Sequence, residues 1–422
     1  MNQPTTRQLW GWVCYDWANS AFATTIIAGF FPVFFREFWS IGAEPSLITF
    51  RLGVANGTAS LVIALVAPLL GAIADRWGAR KKFLLAFAGL GVVMTGALYF
   101  VQMGAWAFAL VVFMLAYLGF AAANIFYDAL LNHVAAGNDL DRVSSLGFGF
   151  GYLGGGLLFA VNVWMTLSPE TFGLVDQAQA VRLSFLMVAI WWGVFSLPLL
   201  LWVREPEGDD HSLAEAIRGG IGQLLATFRQ VRALRPLLVF LVAYFFYIDG
   251  VNTVIKMALD FGLALGFATS DLIAALLVVQ FVGFPAALVF GLIGRRWGSK
   301  TGILIGLSGY VGATLWASQV DSVREFYAMA VIVGLVQGGV QALSRSFYAR
   351  MVPAGQAGEF FGFYNLLGRF AAVLGPFLVA WTALLTDSPR LSMLSVLVLF
   401  VVGGGLLMKV PTKASQLTPL KA

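Results

Sequence analysis

The sequence predicts an all-α membrane protein, with twelve transmembrane helices arranged as two pseudo-symmetric six-helix bundles. Three observations carry this expectation. Apolar residues make up 59% of the 422 residues against 11% charged, and the mean hydropathy is +0.84, far from the soluble norm. The apolar residues gather into twelve runs, each near the ~20 residues that cross a bilayer as a helix. A basic turn after the second run, Gly71-Ala-Ile-Ala-Asp75-Arg76-Trp77-Gly78-Ala-Arg80, returns after the eighth as Gly291-Leu-Ile-Gly-Arg295-Arg296-Trp297-Gly298-Ser-Lys300. Self-similarity at so long a period marks two related bundles in one polypeptide.

The first run, roughly 10–35, follows a short polar start and is too long for the core of a cleavable signal peptide, so none is expected. Runs at roughly 52–74 and 82–102 flank the first basic turn, and runs at roughly 106–130, 144–167 and 183–203 complete the first bundle. The fifth run is rich in small residues: Gly147, Gly149, Gly151, Gly154, Gly155 and Gly156 let its helix touch its neighbours closely. Runs at roughly 236–258, 271–294, 301–318, 326–349, 360–384 and 391–408 build the second bundle, with Gly375-Pro376 as a kink in the eleventh.

The domain boundaries follow: a first bundle over 1–203, a linker over 204–235, and a second bundle with a short tail over 236–422. Within the linker, Ser212 followed by Glu215 is a capping-box pattern. Leu213, Ile217, Ile221, Leu224 and Phe228 then recur at helical spacing beside Arg218, Arg229 and Arg232. The linker therefore reads as an amphipathic helix lying along the inner membrane face.

Orientation comes from the basic residues. With a cytoplasmic N-terminus, eighteen Lys and Arg fall in inner loops and tails and five in outer loops, with Lys256, Arg345 and Arg369 left inside helices. Both termini are thus expected in the cytoplasm of a bacterium, with the chain in its inner membrane. The net charge of +5 is explained by this bias and argues for contact with anionic lipid, not for nucleic acid. The single cysteine, Cys14, excludes an intrachain disulfide and a cysteine metal site. His133 and His211 stand far apart, and no nucleophile–base constellation is visible, so neither a metal, nor a cofactor, nor an enzyme is expected. Gly294 to Thr301 fails the spacing of a phosphate-binding loop, which argues against ATP as the direct driver.

A second repeat is chemically richer. Tyr15-Asp16-Trp17-Ala18-Asn19-Ser20 opens the first helix, and Tyr247-Ile248-Asp249-Gly250-Val251-Asn252-Thr253 lies in the seventh. Asp and Asn three apart share one helix face, so Asp16 with Asn19, and Asp249 with Asn252, can aim a carboxylate and an amide at one solute. Ionisable residues inside a span are expensive and by default functional candidates. The same reasoning singles out Arg369 in the eleventh helix, and Arg345 in the tenth, one turn after Gln341. Arg369 is expected to hold a substrate carboxylate or to pair with Asp16 or Asp249. Lys256 and Asp260, four apart, are expected to satisfy each other near the outer end of their helix.

The first basic turn resembles the G-x-x-x-D-R-x-G-R-[RK] signature of the major facilitator superfamily. The opening Gly11-Trp12-Val-Cys-Tyr15-Asp16-Trp17-Ala18-Asn19-Ser20 resembles one branch of it. That branch contains the vacuolar amino-acid effluxers linked to autophagy and a bacterial set labelled unknown major facilitator. Tyr247 to Thr253 and Gln341-Ala-Leu-Ser344-Arg345-Ser346 are similar to its signatures in helices seven and ten. The resemblance covers the whole chain and implies export of small solutes, amino acids being the attested class. It also implies that helices one, four, seven and ten line a central cavity. The basic turns then form a cytoplasmic gate: Gly71, Asp75, Arg76, Gly78 and Arg80 in one, Gly291, Arg295, Arg296 and Gly298 in the other. Arg295 replaces the aspartate of the first copy, so an asymmetric gate is expected.

The reading is a monomeric secondary transporter. It moves a small polar solute, an amino acid by resemblance, outward by alternating access; titrating aspartates could couple it to a proton, and no sequence feature separates that from sodium coupling or uniport. The rival reading is an exporter of lipophilic compounds, since 37 Phe and 13 Trp could line a greasy cavity. A transport-dead sensor is the remaining alternative, and the paired polar motifs argue against it.

Overall fold

The computed structural model describes residues 5–137, 139–205, 226–353, 355–371 and 373–411. Twelve long helical stretches follow one another among them. They are α1 (Thr6–Trp39), α2 (Pro45–Trp77), α3 (Arg80–Ala97), α4 (Trp106–Val134), α5 (Asp139–Leu167) and α6 (Gln177–Trp202). Then come α7 (Arg235–Ala264), α8 (Thr269–Trp297), α9 (Ser299–Ala317), α10 (Val323–Ala349), α11 (Ala357–Thr386) and α12 (Pro389–Met408). Eleven stretches among the described residues are long and apolar enough to cross a membrane. The twelfth, α9, is 19 residues long and packs on α10 and α12. Each apolar run in the sequence thus lies on its own helix. The linker helix expected from Ser212 falls mostly outside the described residues; 226–233 is helical.

Local chemistry sets the helix ends. Thr5 and Gln8 form a reciprocal capping box at the start of α1, and Asp176 accepts the Gln179 N–H at 2.7 Å at the start of α6. Gly78, at φ 61°, ends α2 in the left-handed region and lets the chain turn directly into α3. Gly298, at φ 87°, makes the equivalent turn between α8 and α9. Helix α1 widens into π-type turns over Phe22–Phe30 and Phe35–Trp39. Helix α11 breaks before Leu374, two residues ahead of Pro376, as its Gly-Pro pair predicts.

Helices α1 to α6 pack on one another, and so do α7 to α12; the two sets meet along α2–α11, α5–α8 and α5–α10. Glycines allow the closest of these approaches. A methyl group on Gly71 would run into the Gly358 carbonyl, and one on Gly151 would stand 2.6 Å from Ser20 Oγ on α1. Large apolar side chains such as Leu65, Leu201, Leu292 and Val401 remain exposed, as expected where the solvent is lipid.

Candidate functional site

A cavity of about 510 Å³ lies between the two sets of helices, a size suited to a small molecule. Helices α1, α4, α7 and α10 contribute to its wall, with α5, α8 and α11 beside them. Its lining runs to Phe261, Leu272, Ala317 and Phe326, near the helix ends that lie away from the basic turns.

The floor is built on Arg345 of α10, a buried side chain. Its Nη1 donates to Asp128 Oδ1 at 3.1 Å and its Nη2 to Asp16 Oδ2 at 3.5 Å, so one guanidinium serves carboxylates from α4 and α1. Nε and Nη2 also donate to Ser144 Oγ and the Ser144 carbonyl of α5, both at 2.9 Å. The guanidinium carbon sits 4.3 Å from the Phe148 ring centroid and 4.8 Å from that of Trp12, where cation–π attraction offsets part of the desolvation. Tyr127 Oη donates to Asp16 Oδ2 at 2.9 Å, and Asn365 Nδ2 to Asp128 Oδ2 at 3.1 Å. One arginine of the second half is thereby fastened to three helices of the first.

Amides occupy the walls. Asn19 Nδ2 donates to Asn124 Oδ1 at 2.7 Å, Tyr152 Oη to Gln341 Oε1 at 3.0 Å, and Asn252 Nδ2 to the Gly368 carbonyl at 3.3 Å. Arg369 Nη1 donates to Tyr117 Oη at 2.7 Å. Asp16, Asn19, Asn252, Gln341, Arg345 and Arg369 therefore all line the cavity, and Asp249 does not. Asp249 is fully buried, and its Oδ2 accepts the Gly375 N–H at 3.0 Å beside the break in α11. Arg369 pairs with neither Asp16 nor Asp249. Lys256 makes no ion pair with Asp260 among the described residues; it too lines the cavity, while Asp260 lies within electrostatic reach of Arg36.

Sequence reasoning missed Asp128, Asn124, Tyr127, Tyr152 and Asn365. Asp128 carried a usable signal, since it is an ionisable residue inside the fourth apolar run. The tyrosines and asparagines carried none, because only the packing shows which face they present.

On the basic-turn face the two halves are tied together. Asp75, at the end of α2, accepts from the N–H groups of Gly358 and Glu359 at 2.8 and 2.9 Å, at the start of α11. Arg80 donates to Asp75, meets His133 of α4, and donates to the Gly355 carbonyl at 2.9 Å. Glu205, at the start of the linker, accepts from the N–H groups of Arg80 and Lys81 at 2.7 and 2.8 Å. Burial pushes the Glu205 carboxyl above its ordinary range. At the linker's other end Thr227 donates to Glu359.

The second turn is built differently. Arg295 and Arg296 are exposed and form no ion pair among the described residues. The carboxylate of that corner is Asp141 of α5, which accepts from Ser299 at 2.8 Å, from Ser346, and from Arg350 Nη2 at 2.7 Å. Gly291 and Gly294 bring α8 against Ser145 and Asp141, and Arg76 Nε is buried without a partner.

Comparison with known proteins agrees with this architecture. The family described as Vacuole effluxer Atg22 like matches residues 52–418. The MFS-type transporter YxiO of Bacillus subtilis is 36% identical over 97% of this chain and 96% of its own length. Autophagy-related protein 22 of Yarrowia lipolytica is 25% identical over 64% of this chain, which spans 50% of that protein. Among solved structures, the human organic anion transporter MFSD10 superposes with a TM-score of 0.70 at 16% identity, over 95% of this chain and 98% of that one. FucP in its outward conformation gives 0.71 at 12% identity, over 96% and 99%. At those identities the likeness is one of fold. The chain belongs to the Atg22-like effluxer family and is a secondary transporter of the major facilitator superfamily.

Proposed function

We propose that this transporter exports a small polar solute of the amino-acid class across a bacterial inner membrane, by alternating access and in exchange for protons. The carrying observation is the Arg345 cluster at the cavity floor. Two carboxylates, Asp16 and Asp128, share one guanidinium, so with both ionised the cluster is one negative charge in excess. A proton or an ammonium group balances it. Asp16 is the coupling residue in this reading, because it lines the cavity and its Oδ1 has no hydrogen bond among the described residues. Taking up a proton weakens its hold on Arg345 and with it one tie between the halves. Asn19, Asn252, Gln341 and Arg369 supply the polar wall that receives the solute. Asp249 is a positioning residue that holds the break in α11.

The basic-turn face is the cytoplasmic side in this reading, with both termini there. The bundles 1–203 and 236–422 rock as units around the cavity, and a monomer suffices. Asp75 and Arg80, together with Asp141 and Arg350, form the gate that opens as the cavity turns inward. Gly71, Gly78, Gly291 and Gly298 permit its tight approaches. Arg76, Arg295 and Arg296 hold the turns against anionic lipid.

Purified protein in proteoliposomes loaded with radiolabelled amino acids tests the reading. An acid-outside gradient is expected to accelerate exit of at least one of them through the wild type. Asp16→Asn is expected to exchange that solute yet ignore the gradient. Equal gradient response in Asp16→Asn, or movement of lipophilic cations alone, would sink it.

A further inference from the structure

The Arg345 cluster leaves two charges on the cavity wall unaccounted for, Lys256 and Arg369. They share one side. Asn252 of α7 donates to the carbonyl of Gly368, the residue before Arg369 in α11, and Lys256 follows Asn252 by one turn of α7. Tyr117 of α4 closes the group: its hydroxyl accepts from Arg369 Nη1, its ring lies 5.3 Å from the guanidinium carbon, and Lys256 is within electrostatic reach.

Among the described residues no carboxylate forms an ion pair with Lys256 or Arg369, and Arg369 Nε is buried without any hydrogen-bond partner. Asp249 lies within electrostatic reach of Lys256, but it is engaged by Gly375 and does not line the cavity. A bare N–H donor costs free energy until something accepts from it. An arginine fork beside a lysine suits a carboxylate, one side by planar geometry and the other by point charge. The same two charges repel a cationic solute.

We infer that Lys256, Arg369 and Tyr117 form a carboxylate-binding subsite, so that the transported solute carries a carboxylate. This rests on reading the cavity as the solute site. It places the carboxylate end of that solute and makes Lys256 a specificity-determining residue. The Arg345 cluster, negative by one charge, adjoins the subsite through Asn365, which lies one turn before Arg369 and bonds Asp128, and offers its excess charge to an ammonium group on the same solute.

The test is thermal stabilisation of the full chain in detergent. The probes are the twenty L-amino acids, short mono- and dicarboxylates, the methyl ester of each, uncharged polyols, and tetraphenylphosphonium. At least one acid is expected to stabilise the wild type while its ester does not. Lys256→Gln and Arg369→Gln are each expected to weaken that acid about ten- to a hundredfold, the range for losing a charged hydrogen bond. Lys256→Arg retains binding, as does the control Lys82→Gln on the far side of the basic turn. An ester as effective as its acid, unchanged binding in Lys256→Gln, or no stabilisation by any carboxylate overturns the subsite. If only a polyol stabilises wild type and Lys256→Gln alike, the subsite and the amino-acid class fail while the cavity stands as the site of a small polar solute. If only tetraphenylphosphonium does so, both fail.

Discussion

Replacing Arg345 with Met keeps much of the side-chain volume and removes the charge. The variant loses the hydrogen bonds to Asp128, Asp16 and Ser144. It also leaves two carboxylates, with side chains 12% and 10% exposed, without their cation. Removing one partner of a buried pair costs about 3–5 kcal/mol, because the charge left behind is uncompensated. Neutralising the partners as well, in Arg345→Met/Asp16→Asn/Asp128→Asn, removes that penalty. What remains is the loss of the Ser144 bonds and weakened polar contacts, about 1–2 kcal/mol. The contributions are strongly non-additive, as expected for one network. Thermal unfolding in a single detergent reads this out. By the average unfolding entropy per residue, 1 kcal/mol corresponds to roughly 1 °C for a chain of this length. The single variant should therefore melt about 3–5 °C below wild type and the triple variant well above the single. A single variant within about 1 °C of wild type, or a triple variant no better than the single, would refute the argument that the cluster is held by charge balance.

Other outcomes follow from the same geometry. Gly71→Val forces a branched side chain against the Gly358 backbone, and overpacking of this kind costs about 1–3 kcal/mol; a lower melting temperature and lost transport check it. Asp249→Ala leaves the Gly375 N–H without its acceptor, and stability should fall by about 1–3 kcal/mol. Affinity for a stabilising solute should stay within about twofold, which an isothermal titration measures. Glu205 binds its proton more readily folded than unfolded. Stability should therefore decline as pH rises from the ordinary glutamate range through its raised value. Glu205→Gln should remove that decline, which melting curves across the acidic range would show.

The sequence was legible where physics is local. Twelve apolar runs, two glycine-ended basic turns and the kink at Gly375-Pro376 each depend on residues close together in the chain, and each reappears in the fold. The polar constellation was legible only in part. Asp16 and Arg345 stand out as charges inside spans; Asp128 carries the same signal at the end of its run, but nothing local says that it shares Arg345 with Asp16. Lys256 and Asp260 have the spacing of a helical ion pair, yet they form none among the described residues: Lys256 lines the cavity and Asp260 lies within electrostatic reach of Arg36. The motif repeat carries the asymmetry of the two turns but not its cause. Where Arg295 stands in place of the first copy's aspartate, the carboxylate of that corner comes from Asp141 on another helix, and no periodicity within the second half could reveal it.

The central claim is that ties across the basic-turn face hold the cavity open toward the other face. Distances between spin-label pairs test this most directly. One pair would sit at Lys82 and Lys409 on the basic-turn face, the other at Val175 and Ser270 on the far face. All four positions are exposed, and Cys14→Ser removes the native thiol. Breaking the ties of that face with Asp75→Ala and Asp141→Ala together should lengthen the first distance and shorten the second in the same population of molecules. Unchanged distances in both pairs, or both lengthening together, would contradict the account.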